Sequence, residues 1–183
     1  PNVYLSMGLT AENVAKKYNL SRKEQQDFAI LSHANAAKSQ LSKNFDQEIT
    51  IIKKDNIEVK SDGGIRPNTS QEILNNLKLV FDENGTITAG TASPLTDGAS
   101  ATLVCEEEYA KANKLPIIAR IKSTAIQGCP PELMGLGPIN ASKKALKRAN
   151  LDIKDIDIVE LNEAFASQSI ACIKELKINP EIV

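Results

Sequence analysis

The sequence predicts an α/β chain, and three observations carry that prediction. Beyond Leu115-Pro116, short apolar runs alternate with amphipathic stretches in the order strand, loop, helix, strand, helix, the pattern of a parallel sheet with right-handed crossovers. One of those runs, IDIVEL at 156–161, is nearly continuous in apolar residues, as a strand covered on both faces would be. The stretch that follows it, AFASQSIACIKEL, is apolar around most of a helical circumference, which predicts a buried helix.

The elements follow in chain order. From Leu9 to Leu41 the periodicity predicts two helices, the second opened by Ser21 with Glu24 three residues on, a capping box that satisfies two orphan N–H groups. Phe28, Leu31 and the alanines after them suit one packed face. His33 falls in this helix and reads as a partly exposed residue with no chemistry. Residues 48–52 and 57–60 read as strands flanking the polar KKDN, a hairpin, followed by the turn signal Ser-Asp-Gly-Gly at 61–64. Thr69 with Glu72 forms another capping-box pattern, opening a helix whose apolar residues are Ile73, Leu74, Leu77, Val80 and Phe81. Asn84-Gly85 then turns the chain.

The stretch from Gly85 to Glu107 combines a short strand, a run of Gly, Ala, Ser and Thr, an Asp97-Gly98 turn and a second strand ending near Val104. A run of small residues lets the backbone come close to another strand, a helix or a ligand. Residues 106–114 form a polar helix. Beyond Leu115-Pro116 the expected order is a strand at 117–123, a Gly- and Pro-rich loop at 127–138, a helix at 139–149, the strand at 156–161 and a helix at 164–176.

Composition narrows the function. The 183 residues are 42% hydrophobic and 25% charged, enough to bury a core. With 22 Lys+Arg against 23 Asp+Glu, no global field exists to hold a polyanion, and no nucleic-acid partner is expected. No apolar run approaches the roughly 20 residues that span a bilayer, and PNVYLSMGLTAEN has no basic region followed by an apolar one. A cytoplasmic protein is therefore expected, or an organellar one if a targeting segment precedes Pro1. Cys105, Cys129 and Cys172 are odd in number and form no CxxC or Cys/His pair, against both a disulfide framework and a zinc site. Lys143, Lys144, Lys147 and Arg148 cluster on one helix and read as a solvated face.

In a parallel α/β arrangement the ligand site lies beyond the carboxyl ends of the strands, which draws attention to Glu160-Leu161-Asn162-Glu163. Two readings of Asn162 stay open on the residues alone. It caps the following helix, or its amide orients a water or carbonyl oxygen beside the positive end of the helix dipole. No phosphate loop of the GxxxxGKS/T kind and no GxGxxG after a strand is present.

Taken together, several segments resemble the thiolase family, the enzymes that make or cleave 3-ketoacyl-CoA. The matching pieces are Met7 to Gln25, IRP at 65–67, GTITAGTASPLTDGASA at 85–101, MGLGPI at 134–139 and LNEAFASQ at 161–168, in the family's order and spacing. The resemblance implies a partial thiolase-like α/β fold: residues 1–115 from the N-terminal half, of which 1–95 are mostly the loop domain over CoA, and 116–183 opening the C-terminal half. It also implies site residues. Met7 would line the pantetheine tunnel, Arg66 would lie near the nucleotide part of CoA, and Phe81, Ala89, Ser93 and Leu95 would line the CoA pocket. Ser93 would bond the pantetheine, Met134 would stand beside the acyl group, and Ala164 and Phe165 would form the pocket wall. Asn162 would hold a water of the oxyanion hole, a role compatible with capping.

The resemblance further implies CoA and acyl-CoA as substrates, no tightly bound cofactor, no metal, and a parent homodimer or homotetramer. NEAFA points to the acetoacetyl-CoA-type or general ketoacyl-CoA branches. The family's nucleophilic Cys, its HPxG His and its CxGxG Cys match no residue here, so an internal piece of a longer thiolase, or a truncated product, is expected. That piece alone is expected to be inactive. The alternative is a noncatalytic acyl-CoA-binding or scaffold fragment.

Overall fold

The computed structural model describes residues 2–183. Its helices are α1 (Met7–Lys17), α2 (Arg22–Leu41), α3 (Gln71–Asn75), α4 (Glu107–Ala112), α5 (Gly137–Ala149) and α6 (Ala166–Leu176). A two-stranded antiparallel hairpin, β1 (Ile52–Lys54) and β2 (Ile57–Val59), makes up the sheet among the described residues. Among the described residues no helix is long and apolar enough to cross a membrane.

The helices start where local chemistry starts them. Ser6 caps α1 by accepting from the Leu9 N–H, and Ser21 and Glu24 form the full reciprocal capping box of α2. The cap of α3 is Ser70, one residue beyond the expected Thr69, and the helix ends at Asn75. Arg22 ends it: Nη2 donates to the carbonyls of Leu74 (3.0 Å), Asn75 (3.1 Å) and Leu77 (2.7 Å), the groups a helix C-terminus leaves orphaned. Val80 therefore lies outside the helix, where its N–H donates to the Ile87 carbonyl. In α2 the buried face is Gln25, Gln26 and Ala29, while Leu31 is exposed.

The hairpin pairs Ile52 with Val59 and Lys54 with Ile57. Lys53 and Lys54 thus belong to the first strand rather than to the turn, which is Asp55-Asn56 with Asp55 at φ 54°, a left-handed conformation that Asp tolerates.

α6 is the centre of the molecule. Ala166, Ser167, Gln168, Ser169, Ala171, Cys172 and Leu176 are all buried on it, as the sequence predicts. One side packs on Val14, Ala15 and Leu20 of α1 and its exit, with Leu133 and Leu136 closing over them. The other side packs Cys172 and Leu176 on Ile139 of α5, with Val159, Leu161 and Ile178 around them. The Ser167 hydroxyl donates to the Ala11 carbonyl at 3.1 Å, locking α6 against α1.

The expected strands at 117–123 and 156–161 have no ladder among the described residues. A strand is defined by a neighbour, and none lies alongside them here: Ile118, Ile121 and Ile158 are exposed. The second segment keeps one backbone partner, the Val159 N–H donating to the Ile182 carbonyl at 2.8 Å. The second strand expected up to Val104 is likewise unpaired, with Leu103 and Val104 exposed. The basic face of α5 is partly engaged rather than free in solvent. Lys144 donates to the Ile126 carbonyl, Arg148 to the Thr124 carbonyl, and Lys143 pairs with Glu175.

Candidate functional site

The site is built on residues 85–93, which cross from α1 to the start of α6 with little regular structure of their own. Side chains hold this strap at its near end. Glu12 of α1 is 1% exposed, and its carboxylate accepts from the N–H groups of Thr86 and Ile87, each at 2.9 Å, and from the Thr86 hydroxyl at 3.1 Å. A Cβ at Gly85 would stand 2.1 Å from Glu12 Oε1, so the strap approaches this closely because position 85 has no side chain. Gln25 of α2, fully buried, donates to the Thr86 hydroxyl at 2.8 Å.

Hydrogen bonds to the chain before α6 hold the far end. The Thr91 hydroxyl accepts from the Thr88 N–H at 3.1 Å and donates to the Thr88 carbonyl at 3.2 Å, folding the strap on itself. Ala92 then bridges Phe165 antiparallel: the Ser93 N–H donates to the Ala164 carbonyl (2.9 Å) and the Ala166 N–H to the Thr91 carbonyl (3.0 Å).

This pairing removes one of the two readings of Asn162, the cap. α6 begins at Ala166 with Phe165 as its cap residue and no side-chain cap bond. The strap carbonyl takes a first-turn N–H, so capping by Asn162 is ruled out. Asn162 is exposed and faces a cleft of about 610 Å³ shared with Ser93, His33, Ser32, Glu160 and Glu163.

The implied residues divide around this cleft. Ser93 and Asn162 line it. Phe81, Phe165 and Met7 gather at the start of α1 instead: the two rings meet edge to face at 6.0 Å between centroids, and the Phe81 ring occupies the space of a Gly8 Cβ. Met7 and Met134 are exposed; Met134 lies in the 3-10 turn Pro131–Leu136, which is tied to α1 by Asn13 donating to the Glu132 carbonyl. Ala164 contributes its carbonyl to the strap, while Ala89 and Leu95 are exposed and stand outside the cleft wall. Arg66 does not line the cleft, but its N–H donates to Nδ1 of His33, which does.

Sequence reasoning did not single out Glu12 or Thr91, and it read His33 as a partly exposed residue of α2, which it is, without placing it on the cleft wall. For Glu12 a signal was present: an acid one residue from Ala11, flanking the apolar positions Val14 and Ala15 of an amphipathic helix. No local signal marks His33, whose place depends on the loop that reaches it.

No cysteine lines the cleft. Cys105 is exposed, Cys129 half-buried and Cys172 buried, all as free thiols. Burial pushes the Cys172 thiol above its ordinary range, with the Gln168 amide opposing. The cleft thus offers donors, Asn162 and Ser93, and carboxylates, Glu160 and Glu163, without a thiolate nucleophile among them. Among the described residues no His, Cys, Asp and Glu cluster could hold a metal ion.

Comparison with known proteins gives the chain its family. The family models described as thiolase, N-terminal domain, and thiolase, C-terminal domain, match residues 2–108 and 115–183. The chain is 51% identical over 176 residues to a 3-ketoacyl-CoA thiolase of Shewanella loihica, covering 93% of this chain and 46% of that one. It is 43% identical to a 3-ketoacyl-CoA thiolase of Bacillus subtilis, covering all of this chain and 50% of the relative. Human mitochondrial 3-ketoacyl-CoA thiolase in complex with CoA superposes with a TM-score of 0.95 at 38% identity, over 99% of this chain and 46% of that one. The dimeric peroxisomal thiolase of Saccharomyces cerevisiae gives a TM-score of 0.95 at 39% identity, over 100% of this chain and 46% of its own. The chain therefore spans about half the length of the relatives it matches. It belongs to the thiolase family.

Proposed function

We propose that this chain supplies the CoA-binding wall and one oxyanion-stabilising residue of a thiolase-type acyltransferase acting on 3-ketoacyl-CoA or acetoacetyl-CoA. The observation that carries the reading is the convergence of Ser93 and Asn162 on one cleft, from segments joined by the strap pairing. Acyl transfer through a thioester needs an attacking thiolate, a base to form it, and donors where the carbonyl oxygen gains charge. Here the Asn162 amide is the donor, directly or through a water it holds. Ser93 would bond the pantetheine amide, with Met7, Ala89 and Leu95 beside the chain, Phe81, Ala164 and Phe165 forming an apolar wall, Met134 bordering the acyl end, and Arg66 meeting the nucleotide. CoA enters as substrate, and assembly as a homodimer or homotetramer belongs to the same reading.

The 183 residues alone then bind CoA without turning over acetoacetyl-CoA. The absence of any cysteine from the cleft wall equally favours a noncatalytic acyl-CoA-binding fragment, which predicts the same binding. CoA titration by calorimetry tests both. Ser93→Ala and Arg66→Ala should each weaken affinity about three- to tenfold, the effect of one hydrogen bond or ion pair. Asn162→Ala should leave it within about twofold, because its contact strengthens only as charge develops. Unchanged affinity in both of the first two variants removes the CoA assignment; cleavage of acetoacetyl-CoA by the purified chain refutes the incomplete catalytic set.

A further inference from the structure

The loop that carries Arg66 is ordered mostly by itself. Asp62 Oδ1 accepts from the Gly64 N–H at 2.6 Å, the Arg66 guanidinium donates to the Gly64 carbonyl at 2.8 Å, and the Arg66 carbonyl accepts from the Thr69 hydroxyl at 2.7 Å and the Thr69 N–H at 3.1 Å. Pro67 confines the backbone of Arg66 to extended conformations. Such a loop is a preformed unit, and what remains to be fixed is where the unit sits.

Two residues of α2 fix it. His33 Nδ1 accepts from the Arg66 N–H at 3.3 Å, and Gln40, seven positions along and on the same face, donates to the Asp62 carbonyl at 3.5 Å. His33 is the shorter of these contacts and the one made to the backbone of Arg66 itself. Its acceptor role requires the neutral ring with the proton on Nε2. The same imidazole forms part of the cleft wall that holds Ser93 and Asn162, so one side chain joins the placement of the guanidinium to the floor of the site. Next to it, the Ser32 hydroxyl donates to Glu163 at 2.6 Å, which fixes α2 against the other cleft wall.

We infer that His33 is a positioning residue: its Nδ1 sets where Arg66 presents its charge, and so governs recognition of the phosphate-bearing end of the ligand while leaving the pantetheine end untouched. The inference rests on the CoA reading above. A guanidinium recognises phosphate by directional donors, so moving its backbone anchor weakens that recognition without touching Ser93.

Two substitutions of the same chemistry and different reach test it. In His33→Asn the amide oxygen can stand where Nδ1 stands; in His33→Gln it lies one bond further out. Affinities of the 183-residue chain for CoA and for pantetheine, which lacks the nucleotide, are measured by calorimetry. R66A should lose about three- to tenfold for CoA and H33Q should show a loss in the same range, both staying within about twofold for pantetheine. H33N should stay within about twofold of the wild type for both ligands. Equal losses for both ligands, no loss in H33Q, or an H33N as weak as H33Q overturns the inference. Failure of the wild-type chain to bind either ligand overturns the CoA reading itself and this inference with it.

Discussion

Removing the charge of Glu12 while keeping its shape isolates what holds the strap in place. In Glu12→Gln the amide oxygen can still accept from the Thr86 and Ile87 N–H groups, both of which bond Oε1 at 2.9 Å. The other carboxylate oxygen becomes an NH2, and the Thr86 hydroxyl must reverse to accept from it. Besides the charge assistance, roughly 1–2 kcal/mol as the difference between charged and neutral hydrogen bonds, one arm of the bond from the Thr86 N–H is lost, because that N–H also donates to Oε2 at 2.9 Å. In Glu12→Ala the Thr86 and Ile87 donors lose their partner altogether, and Ile87 is fully buried. Two orphaned donors at about 1–3 kcal/mol each put the loss at roughly 3–5 kcal/mol, or on the order of 10 °C in Tm for a chain of this size. Urea unfolding followed by far-ultraviolet circular dichroism measures both, with the m-value as the check that only stability changed. Gly85→Ala completes the case, since its Cβ would meet the carboxylate: it should destabilise the wild type and cost markedly less in the Glu12→Ala background, a non-additivity that marks a direct contact. Glu12→Ala no worse than Glu12→Gln, or additive effects of Gly85→Ala, would refute the anchoring argument.

The Glu24 carboxyl is held at about 2 by the Ser21 N–H first, then by the Lys174 ammonium and the Ser21 hydroxyl. A carboxyl whose folded pKa lies below its unfolded one stabilises above the unfolded value, and that stability fades as pH falls from about 4.5 toward 2. Glu24→Gln, worth only about 1 kcal/mol at pH 7 because the pair is solvent-exposed, should therefore move toward the wild type in urea titrations at pH 3, the gap narrowing and closing only toward pH 2; a constant gap would contradict this. In thiol labelling read by mass spectrometry, exposed Cys105 should react first and buried Cys172 only on unfolding, and early modification of Cys172 would contradict its burial. Gly8→Ala should cost about 1–3 kcal/mol by driving the Phe81 ring off Phe165, with much of the loss recovered when Phe81 is also shortened to Leu; no recovery would place the strain elsewhere.

Helices were legible because their signals are local. The Ser21–Glu24 box, the apolar circumference of α6 and the extent of α5 all depend on residues within a turn or two of one another. Segments 117–123 and 156–161 were legible as apolar runs but do not form strands among the described residues, because strand formation is a property of a pair and no neighbour lies beside them. Asn162 shows the same limit at one residue. Its sequence position next to a buried helix suggested a cap, yet the helix start is set by Thr91, about seventy residues earlier in the chain. His33 carried no signal at all, since its role follows from where the 62–66 loop lands.

The candidate site is therefore defined by polar anchors more than by regular structure. The strap from Gly85 to Ser93 has only isolated bridges, so its path is imposed by Glu12 and Gln25 at one end and by the chain before α6 at the other. The Arg66 loop orders itself internally, and its side-chain and backbone contacts with α2 are those to His33 and Gln40. Both sets of anchors come from α1 and α2, and α6 packs against those same two helices. Every group on the cleft wall is thus referred to one three-helix frame. Movement of α2 against α6 would displace His33 and Asn162 relative to each other, and the Ser32–Glu163 hydrogen bond spans that joint. A cleft assembled this way keeps its wall in register through side-chain hydrogen bonds from two settings, buried ones at Glu12 and Gln25 and exposed ones at Ser32 and His33.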